Sequence, residues 1–399
     1  MTDEDRVVAA EGHGEVVLVA HDPHAYDLYY NVVANPMLWF IQHSLWGPAT
    51  SPVVGRDLHD AWRAGYEAVN RGFADAAVAE LDNKPEATVF FHDYHLYLAP
   101  AMVRAARPDA KLAHFVHIPW PVDWTTLPEE MRRAVHEGLL ANDVVGFHTE
   151  RWSRNFERSC ADVLGGTAGT LITHHPISVD VAEFDALAES EAVLAAEATL
   201  ERPEKLVVRV DRTDPSKNIV RGFRAFGILL DEHPEWRGRV RMLARLDPSR
   251  ETIQEYVSYR AAIHAEAEAV NARYPAAIDV QVADNFPQSV AAYKQYDVLL
   301  VNAVYDGMNL VAKEGPLVNR RDGVLVLSEN AGAHEELRDW ALTINPFDVW
   351  GQAEALHRAL AMDVGERRRR SEALKRHVRE NGIERWLQGL LADLDRVAA

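Results

Sequence analysis

Arg212 and Lys217 stand five residues apart in Val210-Asp-Arg-Thr-Asp-Pro-Ser-Lys-Asn218, directly after an apolar run. A cation near a helix start opposes the helix dipole and is mildly costly unless an anion sits there. Arginine grips a phosphate with two parallel N–H donors, and lysine adds a point charge. Asp306-Gly-Met-Asn-Leu-Val-Ala-Lys-Glu314 also follows an apolar run. Gly307 lets the backbone approach a ligand. N–H groups at Met308, Asn309, Leu310 and Val311 open a helix, where phosphate oxygens bind well. Glu314, two turns in, lies on a face that could reach ribose hydroxyls. Alone, Asp-Gly signals only a turn. With a strand before each segment and a helix after, the two together can hold one diphosphate, such as a sugar nucleotide carries.

A second group of polar side chains is Phe91-His92-Asp93-Tyr94-His95, with His117 in His-Ile-Pro-Trp-Pro about one strand further on. A carboxylate and an imidazole at strand ends suit sugar hydroxyls. His92, Asp93, His95, His114 and His117 are also candidate metal ligands. Adjacent strand residues point to opposite faces, however, so His92 and Asp93 should diverge, and no metal is expected. Tyr29-Tyr30-Asn31 and Trp39 lie on a helical stretch; exposed aromatics there suit a sugar's apolar face, while Met37, Leu38 and Phe40 read as core.

The elements that must carry these residues are legible as alternating strands and helices. In the second half, 206–210, 240–244, 278–282, 298–301 and 324–327 read as strands, with helices over 218–230 and 251–272. Continuous rather than alternating apolar strands predict a parallel sheet covered on both faces. In the first half, 16–20, 88–91, 112–116 and 144–147 read as strands and 29–45 and 57–81 as helices. Residues 174–183, with Pro176, read as a linker, and Gly165-Gly-Thr-Ala-Gly169 as a surface loop. The expected organisation is α/β: an N-terminal domain over 1–178, a C-terminal one over 179–375, and a C-terminal helix over 376–399 packing back on the first. Two such domains imply a cleft between facing strand ends.

The 399 residues are 48% hydrophobic and 26% charged, as in a globular protein of two domains. A net charge of −19 argues against nucleic acid as a partner, and any phosphate site must be built from local cations. No apolar run is long enough to span a membrane, and no signal peptide is visible. The single cysteine, Cys160, fits a reducing cytoplasm. Arg367 to Arg370 read as a solvated helix face. Small-molecule substrates are the expected partners, and a homo-oligomer is compatible with the sequence.

Taken together these motifs resemble the trehalose-6-phosphate synthases, retaining glycosyltransferases of family 20 with two Rossmann-like domains (the GT-B type). The resemblance runs from about Tyr29 to the C-terminus and includes Tyr-Tyr-Asn, Phe-His-Asp-Tyr-His-Leu, Val-His-Ile-Pro-Trp-Pro and the two segments above. It continues through Val326-Leu-Ser-Glu-Asn-Ala-Gly-Ala333 and Ile344-Asn-Pro-Phe-Asp348, in a style most like actinobacterial members. It implies transfer of glucose from a nucleoside-diphosphate glucose, UDP- or GDP-linked, to glucose 6-phosphate, without a metal ion. Arg212 and Lys217 would hold the donor diphosphate. Asp306, Gly307, Met308, Asn309, Leu310 and Val311 would meet donor sugar and phosphates, and Glu314 the ribose. His117 would contact the donor sugar, Asp93 would lie at the reacting centre, and Tyr30, Trp39 and Arg250 would hold the acceptor with Asp93.

The chain departs from the family pattern at Tyr305, where arginine is usual, at Pro215-Ser216, and at Asn218, where glycine is usual. The usual opening strand and glycine-rich loop are not matched by Gly12-His-Gly14, so weak synthase activity is expected. Within the fold the alternatives are a validoxylamine-phosphate-synthase-like pseudo-glycosyltransferase and a glucosylglycerol-phosphate synthase. From other classes they are a non-catalytic sugar-phosphate-binding regulator and a metal hydrolase.

Overall fold

A computed structural model of the chain describes residues 6–8, 15–47, 50, 53–167 and 169–398. The chain divides into two compact units, Met1–His175 with Leu390–Ala399, and Pro176–Gly389. Among the described residues no helix is long and apolar enough to cross a membrane.

The first unit is built on a parallel sheet of β3 (Thr88–His92), β4 (Lys111–Val116), β5 (Val144–Phe147) and β6 (Leu171–His174), in that spatial order. β5 is buried along its whole length and β4 nearly so, which is why both read as continuous apolar runs. β6 is a half-buried edge strand ending Thr-His, and its short polar sequence hid it. A separate antiparallel hairpin joins β1 (Arg6–Val8) to β2 (Glu15–Val17). The strand expected over 16–20 is thus earlier and shorter, and its partner is β1. Gly12-His-Gly14 lies outside the described residues.

The two long helical stretches of this unit run through Pro23–Asp27, Leu28–Leu38 and Trp39–Gln42, and through Arg56–Ala61, Trp62–Glu67 and Ala68–Asn83. The middle piece of each winds with wider π-helical turns. Pro36 has no N–H to give and crowds the carbonyl four residues back, a common reason for a helix to leave the α register. A Cβ on Gly65 would meet Leu28 Cβ at 2.6 Å and Tyr29 N at 2.7 Å, so its bare backbone is what lets the two helices close. That packing brings Tyr66 beneath Tyr94, whose carbonyl accepts from Tyr66 Oη at 2.5 Å.

The second unit holds a six-stranded parallel sheet, ordered β12-β11-β10-β7-β8-β9. Its strands are β7 (Lys205–Arg212), β8 (Val240–Asp247), β9 (Ile278–Val282), β10 (Val298–Val301), β11 (Val324–Ser328) and β12 (Leu342–Ile344). Both faces are covered. Phe223, Phe226, Ile263 and Leu356, from helices Ile219–Glu232, Gln254–Arg273 and Val349–Ala361, form one buried cluster. Val290, Tyr293, Ala312, Leu317 and Leu374, from Phe286–Gln295, Val311–Val318 and Val364–Glu380, form the other. Each fully buried Leu or Phe contributes about 1.5–3 kcal/mol. The chain runs outward from β7 through β8 to β9, then returns to place β10 on the other side of β7. That reversal makes a crevice at the carboxyl ends of β7 and β10, the usual ligand position in an open α/β sheet.

One expectation about the surface fails. Arg367 is 9% exposed and turns inward, donating to Asp297 Oδ1 at 3.2 Å and to the carbonyls of Arg321 and Asp322. Asp297 also takes Arg202, Lys205 and the Leu206 N–H, so a buried carboxylate consumes three cations. Arg368 and Arg369 do face solvent.

Candidate active site

In the second unit, Lys217 and Asp306 come from the loops that follow β7 and β10, on either side of the crevice. Lys217 Nζ donates to Asp306 Oδ2, which also accepts from Asn309 Nδ2 at 3.0 Å. Arg212, the last residue of β7, is exposed. The Lys217 turn is shaped from beneath by Arg209, fully buried in β7. Its guanidinium binds Asp211 Oδ2 at 2.7 Å and donates to the Lys217 carbonyl at 2.9 Å. A Cβ on Gly222 would meet Arg209 Nη1 at 2.4 Å, so that glycine makes room for the brace. Burial pushes the Asp211 carboxyl up, while Arg209 and Lys217 pull it down. Arg209 was not singled out from sequence, because a lone arginine in an apolar strand looks like an exposed position.

Asn218 closes the turn at φ +58°, and its side chain donates to the carbonyls of Asn302 and Pro346. Asparagine tolerates this left-handed backbone, which gives the exchange with the family's glycine a physical reason. Asp214 Oδ1 caps Ser216 N at 2.8 Å, while Oδ2 accepts from Tyr256 Oη at 2.9 Å and Arg250 Nη1 at 3.3 Å. Arg250 is therefore tied to the base of the same loop, with 9% of its side chain exposed.

The turn at 306–310 rests on the loop after β11. Gly332 N donates to Asp306 O at 3.0 Å and Ala333 N to Met308 O at 2.8 Å. A Cβ on Gly332 would sit 1.9 Å from the Gly307 carbonyl oxygen. Residues 308–311 lead into helix Val311–Val318, whose first turn is closed by Ala312 N donating to Asn309 O at 3.3 Å and Lys313 N to Leu310 O at 2.8 Å. Asn309 Oδ1 is buried and meets no donor. Glu314 lies in the first turn of that helix, not two turns in, and accepts from Tyr293 Oη at 3.1 Å. Burial raises its carboxyl above the usual range.

In the first unit, three consecutive parallel strands lead to polar residues at one edge: His92 ends β3 with Asp93 directly after it, His117 follows β4 and His148 follows β5. Asp93 has φ +63° and ψ −178°, a backbone that side chains other than glycine rarely adopt. It is fixed on three sides. Its N–H donates to Phe115 O at 2.9 Å, its carbonyl bonds His114 Nε2 at 3.0 Å, and its Oδ1 accepts from His117 N at 3.2 Å. His92 Nδ1 and His117 Nε2 share a hydrogen bond of 3.0 Å. Burial lowers His117 to about 4 and His114 to about 3, so both are neutral near pH 7. His148 packs edge-on against His117 with ring centroids 5.1 Å apart. The signal that could have found it is its place, one residue past a strand, as for His117.

His92 and Asp93 both meet His117, His92 at its ring and Asp93 at its backbone N–H. Among the described residues, the His/Cys/Asp/Glu groups close enough to share an ion are instead His233, Glu235, His357 and Glu232, His233, Glu354. Tyr30 is half-buried and stacks between Tyr26, at 5.9 Å, and His95, at 6.0 Å. Trp39 is only 5% exposed, stacked on His43 at 3.9 Å and edge-on to Tyr94. Of the two aromatics named from sequence, Tyr30 offers the larger face to solvent.

The chain matches Glycosyltransferase family 20 over residues 3–396. It is 37% identical over 380 residues to the bifunctional trehalose-6-phosphate synthase/phosphatase of Thermoproteus tenax, covering 90% of this chain and 50% of that protein. The chain therefore spans half the length of that relative. It is 32% identical over 403 residues to validamine 7-phosphate valienyltransferase of Streptomyces hygroscopicus subsp. jinggangensis, covering 96% of this chain and 79% of that one. It superposes on the UDP-forming α,α-trehalose-phosphate synthase of Burkholderia xenovorans, in complex with glucose-6-phosphate, with a TM-score of 0.85 and 30% identity. That match covers 98% of this chain and 88% of the other. Two Rossmann-like α/β units, the GT-B class, agree with this likeness. By sequence and by fold, the chain belongs to glycosyltransferase family 20.

Proposed function

We propose that the chain transfers glucose, with retention, from a nucleoside-diphosphate glucose to glucose 6-phosphate, giving trehalose 6-phosphate. The observation that carries this is the paired loops after β7 and β10. They bring Lys217, Asp306 and the backbone turn of residues 307–311 to one crevice in an acidic protein. The relative from Burkholderia xenovorans is UDP-forming and was solved with glucose-6-phosphate, which supports UDP as the donor nucleotide and that acceptor here.

In this reading the bond from the glucose anomeric carbon to the β-phosphate oxygen breaks as the acceptor hydroxyl oxygen bonds the same carbon. The acceptor's proton leaves to the departing phosphate. The diphosphate gains charge as it departs, and the fixed cations Arg212 and Lys217 stabilise that charge most in the transition state. A metal ion is not needed for this role. Gly307 to Val311 hold the donor phosphates and sugar, and Glu314 the ribose. His117, neutral, bonds sugar hydroxyls without adding a competing charge. Asp93 orients the acceptor hydroxyl from a backbone that its neighbours hold in place. Tyr30, Trp39 and Arg250 serve the acceptor, with Arg250 acting from the Asp214 loop.

The likeness to a validamine 7-phosphate valienyltransferase is the specific ground for a second reading, transfer of a valienyl group to validamine 7-phosphate. Initial rates with UDP-glucose, GDP-glucose and a nucleotide-linked valienyl donor, each against glucose 6-phosphate, validamine 7-phosphate and glycerol 3-phosphate, separate the readings. Turnover confined to glucose donors with glucose 6-phosphate supports the synthase. Turnover only with the valienyl pair, or only with glycerol 3-phosphate, overturns it.

A further inference from the structure

The outer corner of the six-stranded sheet has polar groups that the transferase reading does not use. Arg241, Leu243 and Arg245 alternate along β8 and share one face, as do Asp279 and Gln281 on β9, the last strand of the sheet. The apolar cluster on that face reaches Leu243. Around it lies a pocket of about 210 Å³, lined by Arg241, Arg245 and Gln281, by Gln288 from helix Phe286–Gln295, and by Thr199 and Glu201.

Arg245 donates from Nη2 to Asp279 Oδ2 at 3.0 Å, and its side chain is 13% exposed. Its Nε and Nη1 are shut off from water and meet no acceptor. A buried polar donor left without an acceptor costs on the order of 1–3 kcal/mol, more when charged, and folded proteins leave few of them. Arg241 has Glu201 at 3.6 Å, but that carboxylate is 87% exposed, so the pair is loose and readily displaced. The amides of Gln281 and Gln288 add donors at the rim. Two carboxylates, Asp279 and Glu201, face the pocket as well; Asp279 engages Arg245 through Nη2, and Glu201 lies 3.6 Å from Arg241 Nη1.

We propose that this pocket is a second anion site, taking a tetrahedral oxyanion on Arg245 and Arg241: inorganic phosphate or the phosphate of a small ester. Its volume is below the roughly 300–1,000 Å³ of pockets that enclose drug-sized ligands, which excludes a whole nucleotide sugar. It lies against β8 and β9, whereas the donor loops follow β7 and β10. A small turn of the Arg245 guanidinium gives its buried N–H groups the acceptors they lack.

The test is calorimetric titration of inorganic phosphate and, separately, of glycerol 3-phosphate. Both are run on the full chain carrying Arg212→Ala and Lys217→Ala, so that the donor cations do not report. Adding Arg245→Gln should remove one binding event or weaken it about tenfold or more, the loss of one charge-assisted hydrogen bond. Arg241→Gln should weaken the same event, and Arg245→Lys should retain part of it. Melting curves check that each variant folds, and the Arg241 variant keeps the test alive if the Arg245 one does not. Tighter binding of the ester assigns the site to a phosphate ester; tighter binding of phosphate assigns it to the free ion. Unchanged affinity and stoichiometry in both glutamine variants, or no phosphate binding that either one alters, overturns the proposal. Because the readout is binding and not turnover, it is independent of the transferase reading.

Discussion

Replacing Lys217 by alanine removes a charge with two neighbours, and the structure lets its two effects be separated. Lys217 and Asp306 are paired with 14% and 12% of their side chains exposed. Without the lysine, Asp306 loses its cation and keeps the Asn309 amide at 3.0 Å, and Asp211 loses one of the cations that pull its carboxyl down. Breaking a fully buried pair costs about 3–5 kcal/mol. This pair sits at a crevice and one oxygen keeps its amide, so about 1–3 kcal/mol of stability is the expected loss. The effect on catalysis is larger. Losing one donor aimed at a departing charge lowers kcat by about 10²–10³, or roughly 2.7–4 kcal/mol. The assay is UDP release at saturating UDP-glucose and glucose 6-phosphate, after melting curves confirm folding. A Lys217→Met/Asp306→Asn chain discriminates further: it should regain stability, having lost both charges of the pair together, but not turnover. If that chain turns over normally, Lys217 merely neutralises Asp306. If folded Lys217→Ala stays within about threefold of the wild type in kcat, the lysine is not on the leaving group. Either result refutes the reasoning.

Three further outcomes follow from the first unit and from the proposal that cations of the chain, not a metal ion, serve the diphosphate. Asp93→Gly relieves a backbone strain of about 1–3 kcal/mol but gives up the bond from His117 N, so its melting temperature should hold or rise while turnover falls at least about 10²-fold; lowered stability with normal turnover would contradict this. His114, His117 and His136, held by burial near 3, 4 and 4 against an ordinary 6.5, contribute stability that is present above pH 6.5 and lost as pH falls toward 4. Unfolded chains bind these protons first, so urea unfolding at pH 5 should show several kcal/mol less stability than at pH 7, and an equal or greater stability at pH 5 would contradict the assignment. Turnover should survive exhaustive chelation, and activity abolished by a chelator and restored by zinc would revive a metal-dependent site.

The sheets were legible because their central strands are continuous apolar runs: 144–147 and 298–301 coincide with β5 and β10, while β9, also matched at 278–282, is an edge strand of alternating pattern. β12 and β6 were not, since three or four residues at a sheet edge carry little periodicity. β1 and its pairing with β2 were missed for the same reason. Of the candidate site, the loop residues stood out by following strands, but their partners did not. Arg209 acts through a backbone carbonyl eight residues on, and the Asp214–Tyr256 bond spans 42 residues. Neither separation leaves a mark in local spacing. The same limit explains Trp39, legible as an aromatic but not as one packed between His43 and Tyr94. Arg367 reads as one of four solvated arginines until Asp297, 70 residues away in sequence, is seen to need it.

The central claim is that this chain joins two glucose units through their anomeric carbons with retention. Proton NMR of the product formed from UDP-glucose and glucose 6-phosphate tests it most directly. The expected spectrum shows two α-anomeric protons, one from each ring, and no free reducing end. The signal should vanish in the folded Arg212→Ala/Lys217→Ala chain. A β-anomeric proton, a surviving reducing end, or the same product at the same rate from the double variant would contradict the account.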